Sequence, residues 1–246
     1  MQRPVETWPD TVPASAPAFV PSPTCEQFVA AARNGPVVEL RVLILMASRG
    51  EGKTSTAIVA IVDLAHRLRE EAPATLPLVV AVVRDSHVNL ERTTMETVRE
   101  FARRGLPIEW KDAGRQAITE DSGRPLIHWH FFGMDRPSDA DKLQGFTCGV
   151  LWLEEVAPAA DLSAGIPAET FGLGVTSLRQ RGVPNRVLVT MNPPDDDAWI
   201  LRVEELLDDM GLDNCRVKRW DIPPNEKARH FRALAAAEAD QQTAQA

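Results

Sequence analysis

The chain has 246 residues, of which 44% are hydrophobic and 25% are charged, and its formal net charge at pH 7 is −8. This composition excludes a chain that is disordered throughout, and the negative charge excludes a protein that coats nucleic acid with its whole surface, though not one with a local basic patch. There is no run of about 18 apolar residues and no apolar N-terminal leader, so we expect neither a membrane span nor a secretory signal.

Proline dominates the first part of the chain. Seven of the 19 prolines fall within residues 1–36. Because proline lacks a backbone donor and fixes φ, we expect 1–36 to form an N-terminal arm and neither a long helix nor a central strand. The arm can hold a short helix over 25–33, and Trp8, Phe19 and Phe28 indicate that it packs on the rest of the protein.

Short apolar strands alternate with amphipathic helices in the following residues, which predicts an α/β domain with a mainly parallel sheet over 37–237. The last residues, 238–246, are expected to form a flexible tail. Strands are predicted over 37–46, 78–83, 149–153 and 186–190, with a further strand pair that turns at 121–123 within 108–133. Helices are predicted from 54 to just before 73, and over 90–104, 198–210 and about 225–237.

Residues 47–54 match the pattern of a phosphate-binding loop between the first predicted strand and the following helix. Glycines allow the tight turn that points N–H groups at phosphates, and the helix N-terminus adds partial positive charge. Lys53 can reach the β- and γ-phosphates, and the Thr54 hydroxyl can bind Mg²⁺. Arg49 is either a γ-phosphate contact or a solvated arginine. The predicted nucleotide-binding residues are Ser48, Arg49, Gly50, Glu51, Gly52, Lys53, Thr54 and Ser55.

Two adjacent carboxylates, Glu154 and Glu155, end the apolar strand predicted over 149–153. Burial of two acids is unfavourable unless a cation compensates, and Mg²⁺ bound to a nucleotide would do so. In phosphate-loop NTPases the first acid holds the metal and the second polarises the attacking water. We therefore predict Glu154 as a metal ligand with Thr54, and Glu155 as the general base.

Polar side chains also lie at the end of the strand predicted over 186–190, and two prolines stop the strand after Asn192. Thr190 and Asn192 could sense the γ-phosphate and relay its hydrolysis to a moving part. Taken alone, this segment is equally well explained as a turn.

These three features, in this order and spacing, resemble the ATPase domain of tailed-phage terminase large subunits, which are DNA-packaging motors. The resemblance extends over about 37–235. Besides the arginine-bearing loop, it includes the strand and helix at 80–84 and 90–94, the stretch 141–155, and Met191-Asn192-Pro193 with a trailing Trp199. It implies a P-loop NTPase of the additional-strand, catalytic-glutamate (ASCE) type, with a mainly parallel central sheet flanked by helices.

The resemblance also implies an ATPase that uses ATP and Mg²⁺ and couples hydrolysis to translocation of double-stranded DNA into a procapsid. It assigns catalysis to Glu155, Lys53 and Arg49, metal binding to Thr54 and Glu154, and coupling to Thr190 and Asn192. The implied partners are double-stranded DNA, the portal protein and the small terminase subunit. The chain would be a monomer in isolation and a homo-oligomeric ring when docked on a procapsid in the cytoplasm of an infected bacterium, with no membrane contact.

The sequence departs from the family pattern in two ways. Many relatives carry Arg or Lys where this chain has Gln144, so the cation donated in trans by a neighbouring subunit could instead be Lys142, Arg136, Arg179 or Arg181. Relatives also carry a C-terminal nuclease domain, which we do not find here. The acids at 195–197 are expected to form a solvated loop, so we predict no nuclease activity from this chain. We expect the chain to be either a piece of a longer protein or a separate ATPase subunit.

Two other functions stay open. A helicase-like nucleic-acid translocase would need a second domain of this kind with arginine motifs. A non-hydrolysing nucleotide-binding assembly module is suggested by Glu154, where phosphate-loop NTPases usually carry aspartate, and by Gln144. Nucleotide binding without turnover would favour the second.

Overall fold

The computed structural model describes residues 19–37, 39–111, 115–157 and 165–233. In these residues eight strands form one sheet: β1 (Leu40–Met46), β2 (Leu78–Arg84), β3 (Ile108–Lys111), β4 (Gln116–Asp121), β5 (Arg124–Gly133), β6 (Val150–Glu154), β7 (Arg186–Met191) and β8 (Cys215–Asp221). The α-helices with described bounds are α1 (Pro23–Arg33), α2 (Lys53–Glu71), α3 (His87–Asn89), α4 (Glu96–Arg103), α5 (Ala168–Thr176) and α6 (Val203–Asp209). A π-helical turn, Leu90–Met95, joins α3 to α4, and 226–233 is also helical.

The strands lie in the order β3-β4-β5-β2-β6-β7-β1-β8. From β5 to β8 all neighbours are parallel, and β3 and β4 are added antiparallel at one edge. β7 lies between β1, which precedes the phosphate-binding loop, and β6, which ends in the two acids. This is the additional-strand order, and the predicted α/β fold with a mainly parallel sheet flanked by helices is confirmed.

Helices cover both faces of the central strands, which explains why those strands read as continuous apolar runs. In β1, Leu43 and Leu45 pack on the face that carries α1 and α2, and Val42 and Ile44 pack on the face that carries α5 and α6. All four side chains are fully buried. The sheet is therefore a rigid platform, and the loops at the carboxyl ends of its parallel strands can be held in fixed positions.

α1 lies within the segment that we predicted as an N-terminal arm, and its Phe28 is fully buried. The buried guanidinium of Arg186, at the start of β7, donates to the carbonyl oxygens of Ala32 (3.1 Å) and Asn34 (3.0 Å) at the end of α1. A cation at a helix C-terminus satisfies carbonyl groups that have no partner inside the helix. α1 is therefore part of the packed body.

Several elements differ from their predicted bounds. The first strand begins at Leu40, and the helix predicted over 90–104 begins three residues earlier, at His87. The helix predicted over 198–210 consists of a 3-10 turn, Trp199–Arg202, followed by α6. Trp8, the tail at 238–246 and the last residues of the predicted 225–237 helix lie outside the described residues.

The sequence analysis did not predict β8 and α5. β8 is an edge strand whose charged residues alternate with few apolar ones, and α5 contains two glycines, which lower helix propensity. Among the described helices, none combines the length and the apolar character that a bilayer crossing needs.

Candidate nucleotide-binding site

The loop between β1 and α2 turns at two glycines. Gly50 and Gly52 both have a φ of +88°, in the left-handed region that L side chains rarely adopt. A Cβ at Gly50 would meet no atom within 4 Å, so the backbone conformation and not the space available requires glycine there. Gly52 is the N-cap of the 19-residue helix α2, whose first N–H groups have no acceptor inside the helix. The loop thus has the backbone needed to bind an anion.

The ammonium group of Lys53 is buried inside this loop. Its Nζ donates to Ala47 O (2.7 Å), to Ser48 O (3.1 Å) and to Asn192 Oδ1 (3.1 Å). Burial lowers the pKa of Lys53, and the negative charges of Glu155 and Glu154 oppose that shift. The lysine therefore connects the loop to the residue that follows β7.

Glu154, the last residue of β6, is buried and accepts two hydroxyl hydrogen bonds. Its Oε1 accepts from Thr54 Oγ1 at 2.6 Å, and its Oε2 accepts from Thr190 Oγ1. The indole N–H of Trp152 donates to Thr190 Oγ1 at 2.8 Å, which orients that hydroxyl. Burial raises the pKa of Glu154, and the two hydroxyls and the Arg84 guanidinium partly oppose the shift.

Glu155 leaves the strand in an unusual backbone conformation, with a φ of +57°. Its N–H donates to Thr190 O at 2.7 Å, and its Oε2 accepts from Asn192 Nδ2 at 2.9 Å. Left-handed backbone is unfavourable for a glutamate, so neighbouring contacts must hold it there. Asn192 therefore bridges Lys53 and Glu155, through its amide oxygen and its amide nitrogen respectively.

Arg84, which ends β2, also reaches this cluster, although we gave it no role from the sequence. Its Nη1 lies 3.9 Å from Glu154 Oε1 and donates to the hydroxyls of Thr93 (2.6 Å) and Thr94 (3.1 Å). The sequence feature that could have identified Arg84 as a site residue is its position at the end of the apolar strand in the motif at 80–84. The strand order places that end beside the acidic end of β6.

A second unpredicted part of the site is the segment after β8, residues 222–230, which we call the C-terminal strap. Asn225 N–H donates to Glu51 Oε1 at 3.2 Å, and Lys227 Nζ lies 3.5 Å from Gly50 O. The carboxylate of Glu226 accepts from the N–H (3.0 Å) and hydroxyl (2.7 Å) of Thr24 in α1. The strap thus lies against the outer side of the loop and joins it to α1.

The remaining predicted residues lie outside this network. Arg49 is exposed on the loop and has no ion pair among the described side chains. Lys142 pairs with Asp139 (2.6 Å) after β5, in the same 3-10 segment that Arg136 precedes. Arg179 and Arg181 lie near the start of β6, at the opposite end of the sheet from the loop: Arg179 N–H donates to Cys148 O at 3.1 Å.

Solved structures with a similar fold include DNA-packaging proteins. The large terminase of a thermophilic bacteriophage in complex with ADP has a TM-score of 0.56 and 17% identity, over 86% of this chain and 50% of its own. Its complex with ATP-gamma-S has a TM-score of 0.53 and 17% identity, over 86% and 49%. The N-terminal domain of the DNA packaging ATPase from bacteriophage phi29 has a TM-score of 0.51 and 14% identity, over 81% and 96%.

No protein-family model and no curated protein sequence matches the chain. The chain spans about half the length of the large terminase structures and nearly all of the phi29 domain. At these identities the likeness concerns the fold, and it agrees with the strand order and with the loop at the end of β1. The fold that the motifs indicated, that of the ATPase domain of phage terminase large subunits, is thereby confirmed.

Proposed function

We propose that the chain is the ATP-hydrolysing motor domain of a viral terminase large subunit, which couples ATP hydrolysis to the translocation of double-stranded DNA. The observation that carries this proposal is the bridge from Lys53 through Asn192 to Glu155. It links a lysine of the phosphate-binding loop to a candidate general base through the side chain that follows β7. A phosphate loop alone would support only nucleotide binding.

The residues present fit a magnesium ion bound between protein and nucleotide. Thr54 and Glu154 offer hard oxygen ligands, and their side-chain oxygens lie 2.6 Å apart. No group of three or more His, Cys, Asp or Glu side chains forms a metal site within the part of the chain that the structure describes. This suits Mg²⁺, which keeps waters and substrate phosphates as ligands and, when bound, neutralises charge on the phosphates.

Glu155 would accept the proton of the water that attacks the terminal phosphate in line, and Lys53 and Arg49 would stabilise the negative charge that develops. Asn192 holds one carboxylate oxygen of Glu155, which leaves the other oxygen for the water. When Lys53 turns to a phosphate, its bond to Asn192 must change. Asn192, with Thr190 beside Glu154, would in this way transmit the state of the nucleotide to the segment after β7.

The remaining charge stabilisation would come from a neighbouring copy in a ring. Arg136 and Lys142 follow β5 at the carboxyl end of the sheet, where the loop also lies, whereas Arg179 and Arg181 lie at the amino end. We propose DNA, a portal protein and a small terminase subunit as partners in the cytoplasm of an infected bacterium. An arginine supplied in trans contributes about 10³–10⁵ in rate in related NTPases, so an isolated chain should be slow.

Mg²⁺-dependent ATP turnover, measured over a range of protein concentrations, tests this function. We expect turnover to rise faster than linearly with concentration, because neighbours complete the site, and to fall by about 10²–10⁴ in Glu155→Gln, which has no basic carboxylate. Nucleotide binding without turnover at any concentration, also with portal and DNA present, would instead favour a non-hydrolysing assembly module. A high rate that is independent of concentration would contradict the cation in trans.

A further inference from the structure

The strand order defines how a nucleotide lies across the loop. Glu155 and Asn192 follow β6 and β7, on one side of β1, whereas the C-terminal strap follows β8, on the other side. A terminal phosphate that faces Glu155 leaves the nucleoside end of the nucleotide facing the strap. This step rests on the proposed function, since it takes the loop as the phosphate site.

Glu51 is the loop residue that contacts the strap. Its Oε1 accepts the Asn225 N–H at 3.2 Å, which holds the side chain on the strap side of the loop. Its Oε2 is buried and has no hydrogen-bond partner among the described residues. A buried carboxylate oxygen without a donor is unfavourable, and its usual explanation is a ligand or a water molecule that supplies one.

The charge of Glu51 is also unexpected for its position. A carboxylate beside an anion-binding loop repels phosphates and weakens the function that the glycines and Lys53 provide. The side chain is thus better suited to a neutral hydrogen-bond donor than to a phosphate. A nucleoside carries two kinds of such donor, the ribose hydroxyls and an exocyclic amino group on the base.

The strap fixes this arrangement in place. Glu226 binds Thr24 at the start of α1, and Lys227 lies 3.5 Å from Gly50 O, so the strap is attached both to the body and to the loop. A second buried polar atom, His230 Nε2, lies on the helix at 226–233 and also has no partner within the described part of the chain. The helix that continues the strap therefore also carries an unpaired polar atom.

We propose that Glu51 recognises the nucleoside of the bound nucleotide by accepting a hydrogen bond from a ribose hydroxyl or from the exocyclic amino group of the base. A site built around such a hydrogen bond discriminates strongly against an analogue that lacks the donor. Glu51 is then a specificity-determining residue, and the phosphates are bound by the loop backbone and Lys53.

Calorimetric titration of the whole chain with ADP and with inorganic pyrophosphate, which has no nucleoside, tests this assignment. Glu51→Gln keeps an oxygen for the Asn225 N–H but replaces the other acceptor with a donor. We expect it to weaken ADP binding about tenfold or more, and to leave pyrophosphate binding unchanged or slightly tighter because the variant removes a charge that repels phosphates. Glu70→Gln, an exposed site near the far end of α2, is the matched control and should change neither.

Two analogues identify the donor. If it is a ribose hydroxyl, 2′,3′-dideoxy-ADP binds the unmodified chain about tenfold more weakly than ADP does, and Glu51→Gln has no further effect on it. If it is the amino group, IDP, in which an oxygen replaces that group, behaves in the same way.

The assignment would be overturned if Glu51→Gln weakened the binding of ADP and of pyrophosphate equally, or did not weaken ADP binding. It would also be overturned if the unmodified chain bound both analogues as tightly as ADP. In each of these cases the unmodified chain still binds ADP, and the proposed function is unaffected. The absence of ADP and pyrophosphate binding, or binding that Lys53→Ala does not change, would overturn the proposed function itself.

Discussion

Buried charges lie at both ends of the parallel strands, and their partners differ. At the amino end, the guanidinium of Arg186 donates to four backbone carbonyl oxygens, those of Ala32, Asn34, Glu39 and Asn185. At the carboxyl end, Lys53 and Glu154 bind mainly side chains and loop carbonyls. Backbone groups of a packed helix cannot move away without unfolding it, whereas side chains can rotate to another partner.

On the proposed function, this difference separates a stabilising charge from one that acts in nucleotide binding. Burial lowers the pKa of Arg186 to about 10, which still leaves it charged at neutral pH. Its donors bind carbonyl groups at the end of α1 and just before β1 and β7, so it joins the first helix to the sheet. Lys53 and Glu154, by contrast, hold partners that a nucleotide and its metal would replace. Buried charges at the carboxyl end should therefore contribute to activity at the expense of stability.

Removal of the amino-end charge is expected to have the largest effect on stability. Arg186→Met leaves several buried carbonyl groups without donors, and we expect the free energy of unfolding to fall by about 3–5 kcal/mol. Urea denaturation followed by circular dichroism measures this change. If the variant unfolds during purification, the fraction of soluble protein gives the same direction.

Arg216→Met is the matched control for this substitution. Arg216 is 68% exposed and pairs with Glu39 near the same helix end. An exposed ion pair contributes less than about 1 kcal/mol, so this variant should be nearly as stable as the unmodified chain. Similar midpoints for the two variants would show that the contacts of Arg186 with α1 do not hold the fold together.

The two ends of the sheet also differ in how far the sequence predicts them. The glycines and Lys53 of the loop, the acids at the end of β6 and Asn192 are close to a known pattern. Because parallel strands bring their carboxyl ends together, the sequence could predict that these residues lie close to one another. The role of Arg186 could not be predicted, because this residue begins an apolar strand and binds backbone groups, among them that of Ala32 in a helix about 150 residues away in the sequence.

The strap shows the same limit within the site. Its contacts with Glu51 and Gly50 join residues more than 170 positions apart, and one of them uses a backbone N–H, which no side-chain pattern records. β8, which positions the strap, was also missed, because an edge strand buries only part of its side chains and its charged residues interrupt the apolar pattern. Residues that depend on a single tertiary contact leave no periodicity in the sequence.

At the carboxyl end, removal of a buried charge is expected to stabilise the chain. Burial raises the pKa of Glu154 above its ordinary value of 4.5, so between these two values the folded state binds more protons than the unfolded state. Stability therefore falls as pH rises through that interval, and the loss persists at neutral pH. We expect Glu154→Gln to raise the free energy of unfolding at pH 7 by about 0.5–2 kcal/mol, measured by urea denaturation. The gain in stability should disappear below the ordinary pKa of the carboxyl group.

The control for this change is Glu204→Gln. Glu204 is a partly exposed acid whose pKa is lowered by its hydrogen bond to Arg219, so the expected sign is opposite. Its replacement should give a small loss of stability at neutral pH. An equal response of the two variants to pH would contradict the assignment of the effect to the buried carboxylate.

The smallest expected effect concerns backbone strain at the same end of the sheet. Glu155 has a φ of +57°, where glycine avoids most of the steric penalty, but glycine also gains freedom in the unfolded chain. The two effects oppose each other, and we expect Glu155→Gly to raise the free energy of unfolding by no more than about 1 kcal/mol while it removes turnover. Glu155→Ala, which loses the same carboxylate but keeps a Cβ, separates the two contributions: its stability should be lower than that of Glu155→Gly by a similar amount. If the alanine variant is as stable as the glycine variant, the conformation of Glu155 is not strained, and the contacts with Thr190 and Asn192 only orient the side chain.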